Sequence, residues 1–345
     1  PNKRSIMNIQ GAIAKVLQHE DLSAAEMQAV MTQIMTGEAT PAQIGGFLVG
    51  LRMKGETVEE ITAAAEVMSS LASHVELDVT NLIDIVGTGG DGSRTFNIST
   101  ASTFVAAAAG AYVAKHGNRS VSSSSGSADL LEAAGVNLGL NPEQVAEAVR
   151  TTHVGFMFAP NHHSAMKHAI GPRKDMAVRT VFNVLGPLTN PARVRRQVVG
   201  VFAADLVSPI AEVLGKLGSE HAVVVHSDDG LDEISIAAPT QIAEWQDGTL
   251  TTKVISPADF GLEGGSLDAI RVNNAEESLA IINQVLDNQA GPARDAVVLN
   301  AGAGIYVSGL VSSLEEGVAR AAEVIADGSA LATRDRFVTF TNEIG

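Results

Sequence analysis

The sequence predicts an α/β fold: a small N-terminal helical unit, then a large domain built on a central, mostly parallel sheet flanked by helices. Three observations lead there. The first 75 residues read as short amphipathic helices with well-marked starts. After Asp78, apolar strand-like runs alternate with helical stretches, the pattern of a parallel sheet with crossover helices. The first of those runs, "LIDIV", ends in a glycine-rich loop, and α/β domains gather ligands at such carboxyl ends of strands.

In the helical unit, Ser23 with Glu26 and Thr57 with Glu60 fit the capping box, where two side chains satisfy two otherwise unpaired N–H groups of a first turn. Thr40 before Pro41 is a further N-cap and N1 pair. Val58, Ile61, Ala65 and Met68 recur at helical spacing and give their helix one face to bury. Next, "NLIDIV" is a buried-strand candidate, "NISTASTFVAAAAGA" a small-residue helix and "AYVAKHG" the second strand. The polar loop "NRSVSSSSGSAD" then leads into the helix "LLEAAG". Later strands are expected at "VGFMFA", "RQVVGVFA", "HAVVVHS" and "DAVVLNA", with helices between them. Residues 160–191 have helical character with a break at Gly171–Pro172, and fit either a crossover in the α/β domain or a return to the helical unit.

The 345 residues suffice for about two domains. With 45% apolar and 18% charged residues, the composition excludes disorder over most of the chain. A formal charge of −16 repels polyanions, so no nucleic-acid partner is expected. The chain has no cysteine, which removes disulfides, thiol nucleophiles, thiolate zinc sites and iron–sulfur clusters. The N-terminus turns polar before a signal-peptide core develops, and no segment approaches the ~18 apolar residues of a membrane span. A soluble, cytoplasmic protein with no membrane partner is the expectation.

Gly87, Gly89 and Gly92 in "IVGTGGDGSRTFNIST" spell G-x-G-x-x-G, which is either an anion-binding turn or a structural one. A dinucleotide would need an acid at the end of the second strand for the ribose, and that strand ends in Lys115 and His116. No Lys-Ser/Thr pair closes the loop as in a P-loop. Asn97, Ser99 and Thr100 lie where the following helix begins, so N–H groups and hydroxyls can face one phosphate. Lys115, Asn118, Ser122, Ser123 and Ser127 in the second loop suit another, with Lys115 as a hydrated point charge. The run "HSDDGLDEIS" offers Asp228, Asp229, Asp232 and Glu233 as oxygen ligands, and beside a diphosphate that favours Mg²⁺. His153, His162, His163 and His168 lack the H-E-x-x-H pattern of a zinc site. Arg173 is suited to a two-pronged bond with a carboxylate.

In this order, "GTGGDGSRTFNIST", "KHGNRSVSSSSGSAD", "RTVFNVLGPLTNP" and "GLDEIS" closely resemble the anthranilate phosphoribosyltransferase family of tryptophan biosynthesis, over nearly the whole chain. The resemblance implies a discontinuous helical domain, residues 1–75 rejoined by about 165–185, and an α/β domain of 76–164 and 186–345, a fold shared with pyrimidine nucleoside phosphorylases. It implies transfer of a phosphoribosyl group from phosphoribosyl pyrophosphate to the amine of anthranilate, two Mg²⁺ per subunit, and a homodimer formed through the helical domain. Gly87, Gly90, Asp91, Thr95, Asn97, Ile98, Ser99 and Thr100 match the family's contacts to phosphoribosyl pyrophosphate, as do Lys115, Asn118, Ser123 and Ser127. Ser99, Asp232 and Glu233 match its magnesium ligands, and Gly87, Asn118 and Arg173 its anthranilate contacts, with His116 and His163 nearby. The chain departs at Ser164, where the family commonly has proline, so the restriction that proline places on its neighbour His163 is lost. Rival readings are a nucleoside phosphorylase of this fold, which needs no metal pair, and a non-catalytic nucleic-acid-binding paralogue, which the net charge opposes.

Overall fold

A computed structural model describes residues 7–120 and 125–345. The chain divides into two compact units, Pro1–Ser73 with His162–Thr189, and His74–Asn161 with Asn190–Gly345.

The first unit is helical. Its helices Ile9–Leu17 and Pro41–Lys54 pack together, as do Ala24–Met35 and Val58–Ser70, around Phe47, Met27, Met31, Leu48 and Leu51. Both expected capping boxes form, at Ser23 and Thr57, and Thr40 forms a third with Gln43. Glu60 does more than cap: its fully buried carboxylate accepts from the Thr57 and Leu22 N–H groups, each at 2.8 Å, and from Lys54 Nζ at 3.0 Å. That one side chain joins a helix start, an interhelical loop and a lysine whose side chain is 3% exposed. The helix Lys167–Met176 packs on Pro41–Lys54 and Ala24–Met35. It continues through Pro172, so the expected break at Gly171–Pro172 does not occur; proline removes one helical N–H donor, but its fixed φ is compatible with a helix.

The second unit holds a seven-stranded sheet. Its strands are β1 Leu82–Gly87, β2 Tyr112–Gly117, β3 Val154–Phe158, β4 Arg196–Gly200, β5 His221–Ser227, β6 Thr240–Gln246 and β7 Thr249–Ile255, in the order β3-β2-β1-β4-β5-β6-β7. The first five are parallel, and β6 and β7 add an antiparallel hairpin. Helices Ile98–Ala108 and Pro292–Ser308 lie against β1, and Pro142–Thr152 and Val207–Lys216 cover β3 and β5. With both faces covered, the parallel strands read as nearly continuous apolar runs.

The expected strand "DAVVLNA" is instead the middle of the helix Pro292–Ser308. That helix is buried on almost every side, so its sequence shows no polar stripe, and periodicity alone cannot separate it from a buried strand. Pro292 at its first turn is the helix signal that was present.

From β1 the chain proceeds outward to β2 and β3, then returns to place β4 on the other side of β1. The order therefore reverses between β1 and β4, the crevice position at which open α/β sheets bind ligands.

Candidate functional site

The loop after β1 is shaped by Gly89, Gly90 and Gly92, all at φ between +67° and +74°, a region glycine enters at little steric cost. Its far limb is pinned by the backbone: Phe96 N donates to Ile270 O at 2.9 Å and Val272 N to Arg94 O at 2.8 Å, with Thr95 bridged to Arg271. Asp91 folds onto its own loop, accepting from Ser93 N at 3.0 Å and Ser93 Oγ at 2.8 Å. Asn97 caps the helix Ile98–Ala108 in position only, its side chain making no cap bond. Ile98 and Thr100 are buried, and Ser99 is half-buried.

Lys115, expected as a hydrated charge, is 3% exposed and lies beneath the strand ends. Its Nζ donates to Ile85 O at 2.6 Å and to Ser99 Oγ at 3.1 Å, so it links the end of β1 to the start of the helix. Burial pulls its pKa down, opposed by the charges of Asp84, Glu233 and Asp232. His116, next along β2, is also buried, with its backbone N–H 3.4 Å from Asp84 Oδ2.

Gly117 and Gly126 allow the second loop to close on itself: a Cβ at Gly117 would lie 2.9 Å from the Phe156 ring and nearer still to Ser127 Oγ. Ser127 and the Ala128 N–H both donate to the Asn118 carbonyl, at 3.4 and 3.2 Å. Asp129 accepts from Ser120 N and Gly126 N, and Arg119 binds Asp129 and, through both terminal nitrogens, Glu132. The expected contacts Ser122 and Ser123 lie outside the described residues.

The four carboxylates of "HSDDGLDEIS" divide in two. Asp229 accepts from Leu231 N and Ser235 Oγ, and Asp228 from Gln241 Nε2, so those two hold the turn. Asp232 instead lies over the ends of β1 and β4, accepting from Gly89 N at 2.9 Å, while its own N–H donates to Asp91 Oδ2 at 3.3 Å. Burial, reinforced by the charge of Asp91, pushes the Asp232 carboxyl up to about 7. The Glu233 pKa is also pushed well up, first by burial and then by the charge of Asp232, with Lys115 and the Ser99 backbone pulling the other way. Crowded, buried carboxylates form an electronegative pocket whose repulsion a divalent cation would relieve. Among the described residues no three His, Asp or Glu side chains converge on one ready-made metal cage. Two carboxylates and a hydroxyl fit Mg²⁺, which takes few protein ligands and completes its shell with water and substrate phosphates.

In the helical unit, the Arg173 guanidinium lies over the Phe182 ring, 5.2 Å from its centroid, and burial lowers its pKa. His163 is buried at the start of the short turn Ser164–Met166, with ψ 59°. That ψ falls outside the range preferred by a residue preceding proline, and serine at 164 permits it. His162 bonds the Ser73 carbonyl at 2.9 Å, while in the other unit His153 stacks on Tyr112.

Three participants went unnoticed in the sequence. Gly200, paired with Gly87 across β4 and β1, gives Asp232 its place: a Cβ there would collide with the Asp232 carbonyl. Asp84 is wholly buried in β1, and Asn190 Nδ2 donates to it at 2.8 Å and to Ala114 O at 2.9 Å. Burial, against the pull of Lys115, raises Asp84 to about 6. A charged residue interrupting "LIDIV" was the available signal, because a buried carboxylate needs partners. The third is Ser278, bonded to Asn97.

Two family profiles match the chain: "Glycosyl transferase family, a/b domain" over residues 79–331, and "Glycosyl transferase family, helical bundle domain" over residues 10–72. An anthranilate phosphoribosyltransferase of Thioalkalivibrio sulfidiphilus is 61% identical over 335 residues, 97% of this chain and 99% of that protein. The crystal structure of anthranilate phosphoribosyltransferase from Thermus thermophilus superposes with a TM-score of 0.91 at 43% identity, covering 96% of this chain and 99% of that one. The enzyme from Saccharomyces cerevisiae, solved with phosphoribosyl pyrophosphate and magnesium, gives a TM-score of 0.89 at 28% identity, covering 97% and 98%.

Proposed function

Because the chain belongs to the glycosyl transferase family that includes the anthranilate phosphoribosyltransferases, we propose that it transfers the phosphoribosyl group of 5-phosphoribosyl 1-pyrophosphate to the amine of anthranilate. The products are N-(5-phosphoribosyl)anthranilate and pyrophosphate, in the route to tryptophan. The observation that carries this reading is the group formed by Asp232, Glu233, Lys115 and Ser99 at the carboxyl ends of β1 and β4. Phosphorolysis of a nucleoside gives that pair of carboxylates no task.

As pyrophosphate leaves, C1 of the ribose becomes oxocarbenium-like, so holding the diphosphate and aligning the amine supply most of the acceleration. The loop Gly87–Thr100 and the loop from Lys115 to Ser127 bind the substrate through backbone N–H groups, hydroxyls and the Asn118 amide. Ser99, Asp232 and Glu233 are the proposed ligands of two Mg²⁺ per subunit, which when bound neutralise the diphosphate and make it a better leaving group. Lys115 fixes the Ser99 hydroxyl from beneath the acids. Gly87, His116, Asn118, His163 and Arg173 are assigned to anthranilate, with the planar fork of Arg173 suited to its carboxylate. A homodimer through the helical unit accords with its exposed Leu17, Met53 and Ile170, and a cytoplasmic setting accords with a chain free of cysteine.

The protein mixed with anthranilate, phosphoribosyl pyrophosphate and Mg²⁺ should consume anthranilate, followed by the loss of its fluorescence, and chelation of the metal should stop it. No loss, or loss indifferent to Mg²⁺, would overturn the assignment.

A further inference from the structure

Ser278 lies on the helix Ala275–Leu286, outside both loops, and is fully buried. Its hydroxyl donates to Asn97 Oδ1 at 2.7 Å and accepts from the Asn97 N–H at 3.0 Å, a two-point clasp on one residue. A hydroxyl has a single proton, and here it faces the amide oxygen, so the amide nitrogen points the other way. That nitrogen donates to the Ser125 carbonyl at 3.1 Å and ties the first loop to the second.

Asparagine at an N-cap ordinarily turns inward and accepts from the second or third N–H of its helix. Asn97 makes no such bond, because both its N–H and its amide oxygen are engaged by Ser278 and its amide nitrogen by Ser125. An unclasped Asn97 would be able to turn inward onto the first N–H groups of its own helix and let go of the second loop.

We propose that Ser278 is a positioning residue for phosphoribosyl pyrophosphate binding: by clasping Asn97 it keeps the start of the helix Ile98–Ala108 open and fixes the span between the two loops. The inference rests on the function proposed above for what those loops bind. Ser278 acts through Asn97, so its removal should weaken capture of the diphosphate substrate without slowing turnover of what is captured.

Steady-state kinetics of the full-length protein with Mg²⁺ test this through Ser278→Ala and Ser278→Cys. Loss of the clasp in Ser278→Ala should raise KM for phosphoribosyl pyrophosphate about tenfold, with kcat and KM for anthranilate within about twofold of wild type. Ser278→Cys keeps a weak donor of similar size and should fall between the two; should the alanine variant not fold, a raised KM in the cysteine variant alone decides in favour. A phosphoribosyl pyrophosphate KM equal to wild type in either folded variant, or an equal rise in both KM values, overturns the clasp while leaving the functional reading intact. A wild-type protein that consumes no anthranilate overturns that reading and the clasp with it.

Discussion

Asp232 occupies its position because two facing residues carry no side chain. Gly87 and Gly200 are register partners at the ends of β1 and β4; a Cβ at Gly87 would lie 2.5 Å from Asp232 Oδ2, and one at Gly200 would run into its backbone carbonyl. A carboxylate can swing aside, whereas a carbonyl moves only with its chain. Gly200→Ala should therefore displace Asp232 by a good part of an ångström and cost about 10²-fold in kcat/KM, measured at saturating Mg²⁺. At this scale the sequence disclosed residue types but not distances. Asp232 and Glu233 stood out as acids after an apolar run, yet nothing local separated them from Asp229, which bonds within its own turn, and Asp228, which is held by Gln241 on β6. Asp91, an acid inside a glycine-rich anion loop, finds its partners in Ser93, two positions away, and Asp232, far along the chain.

The long helix Pro292–Ser308 crosses its successor Leu314–Ala326 at very close range. A Cβ on Gly302 would lie 2.7 Å from the Val318 backbone, so glycine permits this approach. Gly302→Ala should separate the two helices and destabilise the fold by about 2 kcal/mol, read from denaturant or thermal unfolding. The helix escaped sequence reading because wholly buried elements lose the polar side that marks their period. The β6–β7 hairpin escaped for a different reason. Its two-residue turn is Asp247–Gly248, with φ of +50° and +80°, and Asp-Gly is a strong hairpin signal that lay in plain view. Elements with explicit end chemistry, such as the capping boxes at Ser23 and Thr57, were legible because their partners lie three residues apart.

At the scale of the α/β unit, the candidate site lies at one end of the parallel strands and a purely structural polar cluster at the other. Where β5 begins, His221 Nε2 lies 2.7 Å from Glu244 Oε1, which also accepts from Tyr306 OH at 2.5 Å. Burial works to raise the Glu244 carboxyl, but the bonds from His221 and Tyr306 prevail and hold its pKa below the ordinary value. A depressed carboxylate stabilises the fold fully above its unfolded pKa, about 4.3, and loses that contribution as pH falls through the folded value. Glu244→Gln should flatten the fall in stability below about pH 4.5 while leaving the ligand end of the sheet untouched, as chemical unfolding across pH would show. The mostly parallel sheet followed from strand and helix alternation, whereas the order of its strands and the reversal beside β1 depend on crossovers that alternation does not specify. The antiparallel docking of β6 on β5 did not follow from it either, since nothing in a run of alternating residues states which neighbour beyond its own hairpin it will join.

Burial of lysine in both units has a practical consequence. Lys54 in the helical unit and Lys115 in the α/β unit each keep their side chains nearly out of reach of water. An acylating reagent that marks exposed amines would pass over both while the protein stays closed. Mass-spectrometric labelling at these two positions would thus serve as a pair of built-in clocks, each timing the opening of its own half of the chain.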